Sequence, residues 1–155
     1  MKTRTSWQQK LQKEAKIVDV PPSWIRRYGT GKMLIPRPLD LDALVRKVPK
    51  GKLVTQDQLR EKLARDYKVC ATCPLTSGLF IRIVAEAAEE DIREGKADIT
   101  PYWRVIKPDG SLNEKFPGGV ERQAARLGEE GHIIGPAKGR KPPCVVGFEK
   151  CLQEL

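Results

Sequence analysis

The chain has 155 residues and a mass of 17.4 kDa, the size of a single domain that can bury its own core without metals or disulfides. Apolar residues at 39%, charged residues at 32% and aromatics at 6% exclude a large multidomain machine, a collagen-like chain and wholesale disorder. The net charge of +9 is concentrated at the front: residues 1–50 carry twelve Lys/Arg against four Asp/Glu, and residues 51–155 carry seventeen against sixteen. A front-loaded basic segment suits a polyanion such as nucleic acid, since neutralised phosphates release condensed counterions, although a solvated surface has the same composition. No uncharged apolar run approaches the roughly 20 residues of a bilayer span. The opening Met1–Trp7 leads into a polar segment, not a signal-peptide core, so the expected location is cytoplasmic, with no membrane partner.

In chain order, Ser6 and Gln9 have capping-box spacing, and Trp7, Leu11 and Ala15 recur every four residues, predicting a helix over 7–15. Residues 17–22 read as extended. Ser23 is placed to cap a short helical turn through Tyr28, where Trp24 and Tyr28 form either a packing stripe or an aromatic surface for nucleic acid. Residues 33–38 are extended because each proline biases its predecessor away from helix. Asp40 is expected to cap a helix with Leu41, Leu44, Val45 and Val48 on one face. Thr55 and Gln58 form a second capping box, opening a helix over 56–66 striped by Leu59, Leu63 and Tyr67.

A loop containing Pro74 and Gly78 is expected next, then a helix over 79–94 ended by Gly95. Two capped helices joined this way resemble a helix-turn-helix with a long linker. Residues 103–106 and 111–113 flank Lys107-Pro108-Asp109-Gly110, a turn sequence suited to a β-hairpin that would form a small wing. Gly118-Gly119 opens a last helix closed at Gly131, residues 135–143 read as a loop, and 144–148 as a late strand. The expected fold class is therefore α+β, mainly helical, winged-helix-like. Cys70 and Cys73 have CxxC spacing but no second close pair, because six residues separate Cys144 from Cys151; zinc, a redox pair and plain thiols all fit, and no metal or cofactor is assigned.

Several strings, in order, carry a resemblance. They are Val48-Pro49-Lys50-Gly51-Lys52-Leu53-Val54-Thr55, Arg82-Ile83-Val84-Ala85, Pro101-Tyr102-Trp103-Arg104-Val105-Ile106, Asp109-Gly110-Ser111-Leu112, Phe116-Pro117-Gly118-Gly119 and Glu130-Gly131-His132. Together they resemble the DNA-binding domain of the alkylguanine-DNA alkyltransferases, the methylated-DNA-protein cysteine methyltransferases. The likeness covers about residues 41–132, which divides the chain into a basic extension (1–40), packed on the domain, the alkyltransferase-like domain (41–132) and a tail (133–155). In that family a Pro-Cys-His-Arg-Val motif supplies a cysteine that accepts the alkyl group. Here Tyr102 stands at the cysteine position, Trp103 at that of the activating histidine, and Glu130 at that of its acidic partner. A phenol with a pKa near 10 is a poor nucleophile for saturated carbon, so the resemblance is to alkyltransferase-like proteins, which bind alkylated guanine in duplex DNA and pass it to repair proteins without catalysis.

The resemblance implies DNA contacts from Thr55, Gln56, Arg82 and Ala85. Arg82 matches the arginine finger that fills the hole left by a flipped nucleotide; its plainer role is an ion pair with Glu86. Gln56 stands where the family has a nucleotide-rotating tyrosine. A base pocket is implied at Pro101, Tyr102, Trp103, Arg104, Phe116 and Glu130, with hydrophobic core as the alternative for its aromatics. His132 is given no catalytic weight. Glu86, Glu89, Glu90, Asp91 and Glu94 would repel phosphate if they faced the duplex, which leaves open a protein-interaction module that has lost DNA binding. A third alternative is methyl transfer by another thiol, Cys73.

Overall fold

The computed structural model describes residues 6–155. It is an α+β protein dominated by helices, with a three-stranded sheet and a two-stranded one. The Ser6–Gln9 capping box forms, but helix α1 is only Trp7–Lys10, shorter than the predicted 7–15. Trp7, Leu11 and Ala15 do pack on the main core. Their four-residue spacing therefore marks the inward side of the segment, while the β-branched residues that follow draw the chain into strand β1, Lys16–Asp19.

Between β1 and β2 (Lys32–Ile35) lie a 3-10 turn, Pro22–Trp24, and α2, Ile25–Tyr28. Pro22 starts the turn with its fixed φ, so Ser23 falls inside it and does not cap it. The Trp24 and Tyr28 rings meet edge to face, 6.3 Å apart, and pack on Val20, Met33, Ala71 and Cys73. β1 and β2 are antiparallel, pairing Lys16 with Ile35 and Asp19 with Lys32, and β2 runs parallel to β4, Ala71–Thr72.

Helix α3, Pro38–Arg46, also begins at a proline. Arg37 holds the cap position and Asp40 sits at the third helical residue, binding back to the Arg37 guanidinium at 2.7 Å, so Asp40 is not the cap. Strand β3, Val54–Thr55, leads directly into α4, Gln56–Tyr67, through the expected Thr55–Gln58 box. Lys68 ends α4 in the left-handed conformation, with φ of 56°.

Helix α5 spans Pro74–Arg93, five residues longer at its start than predicted. Pro74 occupies its first position, where a missing N–H costs nothing, so the residues read as a loop form the first turn. Phe80, Ile81, Val84, Ala85 and Ala88 place α5 at the centre of the core. A second correction concerns the hairpin. The turn forms, with the Lys107 N–H donating to the Ser111 carbonyl at 3.0 Å. However, β5, Val105–Ile106, pairs in parallel with β3, and Ser111 bridges to Cys144.

Helix α6, Gly119–Glu129, opens at Gly118, where φ is +81° and a Cβ would collide with the Arg122 side chain. Residues 144–148 do not form a strand. Val145 is buried with Leu53, Ile106, Leu112 and Leu127, Val146 is exposed, and the chain turns at Gly147 into a 3-10 turn, Phe148–Cys151. The tail then lies along β3, with Leu53 bridged to Leu152. Among the described residues no helix is long and apolar enough to cross a membrane.

Candidate nucleic-acid interface

The longer α5 aligns Leu75, Gly78, Leu79 and Arg82 along one face, at helical spacings of three and four residues. Leu75 and Leu79 are 71% and 54% exposed, unusual for leucines of a core helix, and Arg82 is exposed beside them. They form one wall of a concavity of about 470 Å³ to which Gln56, the first residue of α4, also contributes. The facing wall comes from Lys107, Asn113, Glu114 and Lys115. Lys107 is 3.6 Å from Glu114, which leaves Arg82 and Lys115 as the cations outside any ion pair among the described residues of this groove. In particular Arg82 makes no salt bridge to Glu86. Thr55 and Ala85, by contrast, are buried: the Thr55 hydroxyl oxygen accepts the Gln58 N–H at 3.1 Å, and Ala85 packs in the core.

Of the acidic residues on α5 and at its C-cap, Glu89, Glu90, Asp91 and Glu94 are used internally. Glu90 accepts the Trp7 N–H at 2.7 Å, Asp91 accepts from the Gln8 amide and from Lys96, and Glu94 pairs with Lys96. Glu89 is only 3% exposed and receives three donors, the Tyr102 hydroxyl at 2.6 Å and the Arg122 and Arg126 guanidiniums at 3.0 Å each. Two cations and a hydroxyl thus compensate one buried carboxylate.

Pro101 and Tyr102 are buried. The Tyr102 ring meets Trp103 and Phe116 edge to face, at 5.4 and 5.2 Å. Burial first, and then the hydrogen bond to the Glu89 carboxylate, push the Tyr102 phenol well above the ordinary tyrosine range, so it stays protonated and cannot act as an oxyanion nucleophile near neutral pH. Trp103 is half-buried, with the Arg126 guanidinium 4.8 Å from its ring centre.

The Trp103 indole N–H donates to Glu130 at 3.0 Å, and Arg104 donates to the same carboxylate at 2.9 and 2.7 Å while its third nitrogen reaches the Val48 carbonyl at 2.6 Å. Burial raises the Glu130 pKa, but the Arg104 and Trp103 bonds and the Arg104 charge outweigh it and hold the carboxyl below its ordinary range. An indole can donate this bond but has no basic nitrogen to take a proton on its other side. The arrangement fixes side chains and supplies binding surface, and Trp103 cannot relay a proton to or from its neighbours.

No protein-family model matches the chain, and neither does any curated protein. Among solved structures, S. pombe Atl1 in complex with damaged DNA containing O6-carboxymethylguanine matches with a TM-score of 0.54 at 18% identity, covering 76% of this chain and 94% of that one. The S. pombe ATL complex with DNA gives the same TM-score and coverage at 19% identity. The chain has the Atl1 fold.

Within the Atl1 fold, this chain's Cys73 caps α5 from a buried position among Val20, Met33 and Ala71, shielded from any substrate in solvent. Cys70 is exposed, and among the described residues no group of three His, Cys, Asp or Glu side chains is placed to hold a metal. His132 is half-buried, and burial lowers its pKa. Sequence reasoning missed Leu75, Leu79 and the lysines of the facing wall, and read Glu89 only as a charge that repels phosphate. Starting α5 at Pro74 would have revealed the Leu75–Leu79–Arg82 spacing; no local signal pairs Glu89 with Tyr102.

Proposed function

We propose that this chain is a non-enzymatic protein that binds duplex DNA carrying alkylated guanine and marks it for repair proteins. The observation that carries the reading is Arg82, exposed and outside any ion pair among the described residues, lining one groove with Leu79, Gln56, Lys107 and Lys115. A guanidinium there suits entry into the base stack, and the two leucines suit apolar contact with a distorted groove. An extruded base would stack on Trp103, since Pro101, Tyr102 and Phe116 are buried and back that ring as core. Trp103, the half-exposed aromatic of that set, offers a stacking surface worth about 1–3 kcal/mol per base. The Atl1 complex with damaged DNA supports the same reading, as does a protonated phenol at the family's thiol position. The protein-interaction alternative drew on an acidic α5, and four of its five acids are engaged within the chain.

The test is fluorescence anisotropy with duplexes that differ only in one O6-methylguanine. Arg82→Ala is expected to lose about tenfold in affinity for the modified duplex with its melting temperature intact. Equal binding by variant and parent would remove the finger assignment. Recovery of unmodified guanine after stoichiometric incubation would overturn the non-enzymatic reading.

A further inference from the structure

Residues 133–146 form an antiparallel arm outside the family-like segment. Ile134 bridges to Val145, the Gly135 N–H donates to the Cys144 carbonyl at 2.8 Å and the Val146 N–H to the Ile133 carbonyl at 2.9 Å. The tip closes where the Lys141 N–H meets the Lys138 carbonyl at 3.0 Å, with Gly139 at φ of +60°. At the tip Lys138, Arg140 and Lys141 are all exposed, and among the described residues none of them enters a salt bridge. No Asp or Glu occurs from Gly131 to Phe148. Three cations thus share one turn with none of them held in an ion pair, which costs self-repulsion and suits a polyanion.

The position of the arm identifies the polyanion. Its returning leg is stitched to the wall of the groove: the Leu112 N–H donates to the Pro143 carbonyl at 2.9 Å, Val145 donates to Gly110 at 3.0 Å, and Ser111 bridges to Cys144. The next residues along that wall, Asn113 and Lys115, line the groove itself. The tip also lies near enough to the 107–110 turn for the Lys141 charge to help the Ser111 hydrogen bonds lower the Asp109 pKa.

We infer that the Lys138–Lys141 tip is a second DNA contact, a clamp that takes backbone phosphates of the duplex flanking the α5 groove. The arm replaces the expected two-stranded wing: residues 110–112 pair with 143–145, and those with 133–135. This inference rests on the DNA-binding reading of the groove. Phosphate contacts position a protein without reading sequence or damage, so the arm contributes affinity and leaves discrimination to the groove.

The experiment compares the parent with the combined Lys138→Ala, Arg140→Ala, Lys141→Ala variant in salt titrations on intact and O6-methylguanine duplexes. The slope of log affinity against log salt is expected to become shallower by about 2 to 3, with about a tenfold or greater loss at low salt and an unchanged ratio between the two duplexes. A charge-keeping Lys138→Arg, Lys141→Arg variant retains the parent slope. Salt-dependent binding by the parent with the same slope in the alanine variant would overturn the clamp alone. Failure of the parent to bind any duplex would overturn the groove reading and the clamp together. A tip-dependent preference for single-stranded RNA over duplex DNA would also refute it.

Discussion

Replacing Tyr102 with Phe removes one hydroxyl and keeps the ring that packs between Trp103 and Phe116. The lost bond is short, 2.6 Å, buried, and made to a charged acceptor, a class worth about 1.5–3 kcal/mol. Glu89 keeps both arginines, and Arg126 still reaches the same oxygen, so the lower half of that range applies, about 1.5–2 kcal/mol. For a domain of this size that is a fall in melting temperature of about 3–8 °C. The pH dependence is a sharper test. The folded-state pKa of Tyr102 is raised, so the contribution is fully present below the unfolded value near 10 and is lost as pH climbs from there toward the folded value. Thermal melts by circular dichroism should show a constant gap between parent and variant from pH 6 to 9, narrowing at pH 10 and above. A Tyr102→Phe protein as stable as the parent at pH 7, or a gap that stays constant through pH 11, would refute the Glu89 network as a stabilising element.

Glu130→Gln should cost about 2–3 kcal/mol at neutral pH, because Arg104, mostly withdrawn from solvent, then stands without a countercharge. The folded-state pKa of Glu130 is lowered, so the parent loses this contribution as pH falls below about 4.3, and the variant's acid limb should be flatter in melts from pH 6 to 3. Gly110→Ala should destabilise by about 1–3 kcal/mol from its φ of +87° alone, and further because the new methyl meets the Phe148 ring; urea denaturation measures the sum.

What the sequence disclosed was local chemistry. The Thr55–Gln58 box and the Leu59 and Leu63 stripe placed α4, and Gly118-Gly119 placed the start of α6, because each signal acts within a turn of itself. Pro74 suggests a break but begins α5, since a proline is equally at home just before a helix and at its first position. Val105 and Ile106 looked like one side of a hairpin because their neighbours make a good turn, whereas their partner, β3, lies some fifty residues earlier and is chosen by packing. The same distance hid the interface. Arg82 was visible through its motif, but the wall opposite it, the inward direction of Glu89 and the indole bond from Trp103 to Glu130 exist only once remote segments meet.

Segments on either side of residues 41–132 are woven into the centre of the fold. Strand β2 supplies the neighbour of β4 and inserts Leu34 into the main core, while the tail takes the Leu53 amide through the Cys151 carbonyl and returns the Gln153 amide to Leu53, each at 2.8 Å. Trimming the polypeptide to its most recognisable stretch, 41–132, would therefore strip two ribbons of their borders and open all three hydrophobic clusters at once. Expression trials and crystallography aimed at a shortened fragment would meet an insoluble product, and fusion partners at the carboxyl terminus need a spacer that leaves Leu152 to Leu155 seated.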